Sequence, residues 1–227
     1  MSKPRVDTVA LEVEAAPLTP AVSRRPENYA RSLFHVLSAA AALLMLRLIP
    51  HREWLVVVSG SLALVCWSLE TARRVHPPVN AYLMRFFSRI AHHEESYKVN
   101  SSTWYLTALV LLALFAPLRS AELGVVVLGL ADPAAGFIGR RIGRTKIRKN
   151  RSLEGTLGFF AVGMVAAMAL LLAFHSLPLA LMLAIAAVAS AAGALIELAT
   201  IHLDDNFTIP VTVALVAGSF ERVLHTI

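Results

Sequence analysis

The chain has 227 residues, of which 57% are hydrophobic and only 16% charged, an apolar fraction well above that of ordinary soluble domains. That balance sets aside a water-soluble globular enzyme, and the single cysteine, Cys66, sets aside an intramolecular disulfide or a cysteine-rich metal site. A formal net charge of +6 does not imply a nucleic-acid partner here, because in a membrane chain the placement of Lys and Arg carries more meaning than their sum.

Residues 1–28 are polar, proline-bearing and mixed in charge, without the apolar core of a cleavable signal peptide. They read as a disordered cytoplasmic tail in front of a membrane-embedded domain over residues 29–227. Apolar runs able to cross roughly 30 Å of hydrocarbon at about 1.5 Å per residue lie near residues 31–49, 54–70, 102–118, 121–139, 155–175, 178–198 and 207–224. They predict an all-α polytopic membrane bundle of about seven transmembrane helices. With the N-terminus cytoplasmic, only Arg47, Arg52, Arg119 and Arg222 of the 21 Lys and Arg fall on the far side. The positive-inside rule therefore favours that orientation and places every charge-dense loop in the cytoplasm. The shortage of long soluble segments favours a bacterial inner membrane over an ER or plastid one.

The first span carries Arg31 and His35 one helical turn apart. Arg31 suits a topogenic flank, whereas His35 lies deeper, as a helix–helix hydrogen-bonding residue or a site residue. Glu70 and Arg73 end the second span at the spacing of an interfacial ion pair. In "NAYLMRFFSRIAHHEESYKVN", Leu83, Phe86, Phe87 and Ile90 share one helical face, and Arg85, Arg89 and His93 another. This suits an interfacial amphipathic helix on anionic phospholipids. Adjacent His92 and His93, beside Glu94 and Glu95, point apart on a helix and read as a solvated edge. Asn100, Ser101, Ser102 and Thr103 have the composition of a helix cap before the third span.

The densest charge follows the fourth span. In "LADPAAGFIGRRIGR", Asp132, Gly136, Gly139, Arg140 and Gly143 follow one another at spacings of 4, 3, 1 and 3 residues, one face of a helix on which small residues admit a backbone or a ligand. Asp132-Pro133 resembles an N-cap followed by proline, so a broken helix is expected there. On a continuous helix Asp132 lies about 12 Å from Arg140, inside the nominal edge of the bilayer, and an intramembrane carboxylate is a candidate functional group. "GRRIGRTKIRKNR" packs seven cations into thirteen residues, between Asp132 and Glu154. Cations for phosphate oxygens beside carboxylates for Mg²⁺ suit a polyanion with its metal. In "ELATIHLDDNFTIP", Glu197 and Asp204 share a face if the helix continues, with Asp205 and Asn206 next; Asp205 or Asn206 also suits a cap for the last helix. No H-E-x-x-H zinc spacing is present, and hard oxygen ligands favour Mg²⁺.

Taken together these stretches resemble the CTP-dependent lipid kinases, the family of dolichol kinase, phytol kinase and the yeast-type diacylglycerol kinase. "LADPAAGFIGRRIGR" is similar to its Asp-x-x-Ala…Gly-Arg-Arg-x-Gly stretch, "RSLEGTLGFF" to its Lys-Ser-x-Glu-Gly stretch, "DDNFTIP" to its Asp-Asp-Asn ending, and "RSLFH" to its opening. Ala131 stands where glycine is usual and Arg151 where lysine is usual; the latter keeps charge but not geometry. The resemblance implies transfer of the γ-phosphate of CTP, with Mg²⁺ or another divalent cation, to the hydroxyl of a membrane lipid alcohol: a polyprenol, phytol or diacylglycerol. It implies phosphate binding by Gly139, Arg140, Arg141, Gly143, Lys146, Arg151, Ser152 and Asn206, and catalytic or metal roles for Asp132, Glu154, Asp204 and Asp205. Arg31, His35, Glu70 and Glu197 are further candidates. Two rival expectations are a CTP-dependent phosphatidate cytidylyltransferase, whose Gly-His-Gly-Gly signature is missing, and an anion transporter, which needs polar residues through the full membrane depth. The acceptor alcohol and the oligomeric state are left open.

Overall fold

The computed structural model describes residues 29–86, 99–148, 151–200 and 203–226. Among them run eight helices, α1 (Tyr29–Leu48), α2 (Arg52–Val75), α3 (Pro77–Phe86), α4 (Ser101–Phe115), α5 (Leu118–Arg141), α6 (Leu153–Phe174), α7 (Leu179–Ala199) and α8 (Asp205–Thr226). A small antiparallel hairpin, β1 (Lys146–Arg148) and β2 (Arg151–Ser152), joins α5 to α6. Six helices, α1, α2, α5, α6, α7 and α8, are long and apolar enough to cross a membrane, and α4 is a shorter apolar helix. The chain is thus an all-α polytopic bundle, with spans where the apolar runs place them.

Helix α5 is the axis. It packs against α6 and α8 on its most buried faces and against α1 on another, and Leu123, Val127 and Leu128 carry it into a core shared with Phe159, Ile185, Ile209 and Val213. Outward-facing Leu44, Leu64, Val165, Leu172, Leu195 and Leu215 are exposed, as a hydrocarbon solvent allows. Contact between spans depends on missing side chains: a Cβ on Gly124 would run into the Pro210 carbonyl, and one on Gly193 into the Phe159 ring. Such close approach is the main source of helix association where lipid is as apolar as leucine.

Three expectations change. Helix α5 does not break at Asp132-Pro133 but continues to Arg141 with Pro133 inside it. Neighbouring spans pack on this turn, so the backbone bond that proline forfeits is tolerated at membrane depth. Glu197 and Asp204 are not on one helix, because α7 stops at Ala199 and Thr200 adopts an extended C-cap. The cap of α8 is Asp204, not Asp205 or Asn206: its Oδ1 accepts the Asn206 N–H at 2.9 Å, and its carbonyl accepts those of Phe207 and Thr208. Of the amphipathic stretch, α3 accounts for Leu83, Arg85 and Phe86, opening on Pro77 and Pro78 as helix first turns favour. Phe87, Arg89, Ile90, His92, His93, Glu94 and Glu95 lie outside the described residues, as does the tail over 1–28. Asn100 does cap α4, its side chain accepting the Ser102 N–H at 2.8 Å.

The N-terminal ends of α1, α4, α6 and α8 and the C-terminal ends of α2, α5 and α7 meet at one end of the bundle. The opposite end carries a cluster with no forewarning in the charge pattern. Glu122, fully buried on α5, lies 2.6 Å from Arg47 Nε of α1 and 2.7 Å from His175 Nε2 beyond α6. Arg47 also stacks over the Phe174 ring, 4.1 Å from its centroid. Arg119 completes the cluster with a 3.0 Å bond to Glu221 of α8. Arg47→Leu leaves the Glu122 carboxylate buried without its guanidinium and is expected to cost about 3–5 kcal/mol. Adding Glu122→Leu should recover most of that loss, as thermal unfolding in detergent will measure; a double variant no more stable than the single one contradicts this role.

Candidate active site

The described charged residues named between Asp132 and Asn206 lie at the first end of the bundle, and the local geometry sorts them. Ser152 ends β2 and caps α6, its Oγ accepting the Gly155 N–H at 3.2 Å. The hydroxyl is buried against α5: a Cβ on Gly143 would strike it and the Gly139 carbonyl, and one on Gly155 would stand 3.1 Å from the Ala135 carbonyl. The glycines therefore admit the first turn of α6, which takes up the side-chain-free face that the sequence reading offered equally to a ligand.

Glu154 closes the hairpin. Its Oε1 accepts the Thr145 N–H at 3.0 Å, while Leu153 donates its own N–H to the Thr145 carbonyl at 2.9 Å. Lys146 pairs with Ser152 and Arg148 with Arg151 across the hairpin, and Arg148 reaches the Ala199 carbonyl at the end of α7 at 3.0 Å. From β2 the Arg151 guanidinium bridges two further helices, bonding Glu197 of α7 through Nη1 and Asp205 of α8 through Nη2. Glu197 is buried; its charge is tolerable there because the guanidinium compensates it.

A second chain of contacts ties α1, α4 and α8. Arg31 donates to Ser101 Oγ at 3.3 Å, and Ser101 donates to Asp204 Oδ2 at 2.9 Å. Nearby, Glu70 and Arg73 form the ion pair their spacing suggested at the end of α2, and the pair is buried: Arg73 grips both carboxylate oxygens at 2.8 and 2.7 Å, and Arg74 adds a bond of 3.0 Å. Its Oε2 also accepts the Asn100 N–H, at 3.4 Å, fastening α2 to the start of α4. Trp104, edge-on to both Trp67 and Phe207, joins α2, α4 and α8 at the same level.

Asp132 differs from these acids. Among the described residues its carboxylate meets only His35 Nε2, at 4.0 Å, and that nitrogen has no hydrogen-bond partner. Asp205 lies within the electrostatic reach of both Asp132 and Asp204. On the rim, Arg140, Arg141, Arg144 and Lys146 are exposed. Arg141 stacks on Phe137 at 5.0 Å, and the Arg140 guanidinium folds back over Gly136. None of the four is paired with a carboxylate by the ion pairs found among the described residues.

The four acids expected to hold a metal are consequently divided. Glu154 closes the hairpin and Asp204 caps α8, so Asp132 and Asp205 are the carboxylates nearest to a common use. Among the described residues no cluster of three or more His, Cys, Asp or Glu side chains has metal-holding geometry. Two features of this end had no clear sequence signal: the Ser101–Asp204 bond between α4 and α8, and a cavity of about 430 Å³ whose polar mouth includes Arg31, His35, Ser101 and Asn206. Both depend on helices distant in the chain.

Over 104 residues the chain is 26% identical to CTP-dependent diacylglycerol kinase 1 of Saccharomyces cerevisiae. The matched stretch covers 45% of this chain and 36% of the yeast protein, so the chain spans only a part of its relative's length. No protein-family model and no solved structure matches.

The geometry of Arg151 makes its replacement informative. A lysine has one ammonium and no fork, so Arg151→Lys should hold either Glu197 or Asp205 but not both, and loosen the hairpin from α7 and α8. The expected readout is faster proteolysis within residues 142–151 with the spans intact; a cleavage rate equal to that of the parent removes the bridge from its organising role.

Proposed function

We propose that the chain is a CTP-dependent lipid kinase, transferring the γ-phosphate of CTP to the hydroxyl of a membrane lipid alcohol: diacylglycerol, a polyprenol such as dolichol, or phytol. The observation that carries the reading is the pairing, at one end of an apolar bundle, of an unengaged intramembrane carboxylate, Asp132, with a rim of exposed cations beside it. A soluble polyanion and a lipid hydroxyl meet most readily where those two features adjoin. The four ordered motif likenesses and the 26% identity to a CTP-dependent diacylglycerol kinase support the same chemistry. The charge is confined to the ends of the spans, which favours the kinase over an anion pathway through the full membrane depth.

In this reading Arg140, Arg141 and Lys146 take the phosphate oxygens of CTP, as exposed cations with no carboxylate partner among the described residues can. Gly139, Gly143 and Ser152 act indirectly, by seating the hairpin against α5, and Arg151 holds that hairpin to α7 and α8. Asn206, in the first turn of α8, adds an amide at the polar mouth of the cavity. Asp132 accepts or orients the proton of the acceptor hydroxyl as the new O–P bond forms and the bond to the β-phosphate oxygen breaks, releasing CDP. His35 stands close enough to share that proton. Asp132 and Asp205 present the hard oxygen donors that Mg²⁺ prefers, and one or two carboxylates suffice where phosphates complete the shell. A bound Mg²⁺ supplies neutralisation of the phosphate charge. Phosphoryl transfer rests mainly on positioning and charge compensation, which is why the cationic rim and the carboxylate are needed together. With the N-terminus cytoplasmic, this end faces the compartment that contains CTP, and the cations also suit anionic headgroups.

Purified protein in nanodiscs with γ-labelled CTP, Mg²⁺ and a panel of lipid alcohols should move label into the lipid. Asp132→Asn is expected to lower kcat by about 10²–10⁴-fold, the range for loss of a positioned acid–base group. Lys146→Ala should raise KM for CTP about tenfold, with a smaller change in kcat. Full activity in Asp132→Asn removes the role given to it, and release of pyrophosphate with a CDP-lipid from phosphatidate assigns the chain to the cytidylyltransferases.

A further inference from the structure

Helices α1 and α2 form a hairpin that closes at the far end of the bundle and opens toward the charged one. They are joined between Leu48 and Arg52, and near that turn Leu46 and Leu55 are buried in one cluster with Leu112 of α4. Beyond it they part: α1 packs on α5 and α2 on α4, and the two scarcely touch each other. The cavity of about 430 Å³ occupies the gap. Phe34 on one lip and Leu62 and Leu69 on the other line it and are also exposed. It is therefore open sideways, between two helices long and apolar enough to cross a membrane, and what faces that opening is hydrocarbon.

The lining changes character with depth. At the charged end it is polar, with Arg31, Ser101 and Asn206 beside the mutually compensated Glu70 and Arg73. Farther in it is Ala42, Met45, Leu62, Leu106 and Leu109. The lining positions run from Arg31 to Met45 on α1, from Leu62 to Arg73 on α2 and from Ser101 to Leu109 on α4, about 12–21 Å of helix. One leaflet contributes about 15 Å of hydrocarbon, so the cavity is as deep as a leaflet and polar where a leaflet is polar. Enclosed ligand sites span about 300–1,000 Å³. This one lies low in that range, with room for a single chain and a small head.

Resting on the kinase reading, we propose that the gap between α1 and α2 is the door by which the acceptor lipid enters, and that the cavity behind it seats one hydrocarbon chain of that lipid at its own bilayer depth. The hydroxyl head then lies at the charged end of the bundle, the end that holds Asp132. A second chain, where the lipid has one, stays outside the lips in the bilayer. Seating is cheap, because the chain exchanges one apolar surround for another and the head never has to cross hydrocarbon.

The full chain is placed in phosphatidylcholine nanodiscs without nucleotide, together with dioleoylglycerol, phytol or phosphatidylcholine carrying a photoactivatable diazirine toward the chain end, and adducts are mapped by mass spectrometry. At least one of the two alcohols is expected to label the inner wall at Leu106 or Leu109. Phosphatidylcholine should label outward-facing positions such as Leu44, Val65 and Leu172. The proposal is overturned if neither alcohol labels the wall, or if phosphatidylcholine labels it equally, which marks the cavity as a general lipid crevice. Cys66 lines the cavity, whereas its neighbour Val65 is exposed on the outer surface. Cys66→Trp should therefore lower the yield of wall adducts about tenfold, as overfilling a confined space does, and Val65→Trp should leave it unchanged; equal effects of the two overturn the seat. Because the adducts on the parent chain need no substitution, a poorly folding variant does not remove the test. Transfer from γ-labelled CTP, measured on the same preparations, separates the two readings. Wall adducts without transfer support the seat and count against the kinase, whereas transfer without wall adducts keeps the kinase and overturns the seat.

Discussion

The guanidinium of Arg151, set between Glu197 of α7 and Asp205 of α8, organises the charged end of the bundle. Three segments far apart in the chain converge on one planar cation, and an apolar surround raises the cost of leaving any of the three charges alone. The hairpin is short and its cations repel one another, so it has little stability of its own. Its place over the ends of α7 and α8 follows from this bridge, from Arg148 on the Ala199 carbonyl and from Glu154 closing it behind. Where the hairpin goes, Lys146 and the preceding Arg144 go with it, whereas Arg140 and Arg141 are fixed by the end of α5.

That bridge also decides which acids are committed. Glu197 and Asp205 compensate Arg151, Asp204 caps α8 and accepts from Ser101, and Glu70 binds Arg73 and Arg74. Asp132 stands apart, facing a histidine nitrogen without a partner. Most charged groups at this end are thus explained by structure, and the remainder is one carboxylate, one imidazole and a row of exposed cations with no carboxylate partner among the described residues. The proposed phosphoryl transfer draws on that remainder together with Asp205, whose carboxylate is shared with Arg151, while the other committed groups supply positioning.

Helix α5 links this end to the opposite one. It carries Asp132 toward the hairpin and Glu122 toward Arg47 and His175, with a continuous buried face between them. The protein keeps charge at both ends of its central helix and hydrocarbon in the middle, as the bilayer requires. The two clusters differ in kind: at the far end Glu122 is paired with Arg47 and His175, and Glu221 with Arg119, so that cluster holds α1, α5 and α8 together.

The spans, their order and the end at which the cations gather are properties of the sequence by itself, because apolar length and charge placement are local and the bilayer reads them one helix at a time. The cap of α4 at Asn100 is local in the same way. Only the tertiary structure decided the rest. Pro133 lies within a continuous helix because neighbouring spans support it, and Glu197 and Asp204 sit on different helices because α7 ends at Thr200. Gly139 and Gly143 share a helical face that could admit either a backbone or a ligand, and Ser152 packing into them sets their use. Glu122 lay unremarked inside an apolar run, since nothing near it in sequence reveals Arg47 and His175 as its partners. The cavity exists only where α1, α2 and α4 meet. Pairing of buried charges and the shape of an enclosed space depend on residues distant along the chain, and local patterns do not encode which of them become neighbours.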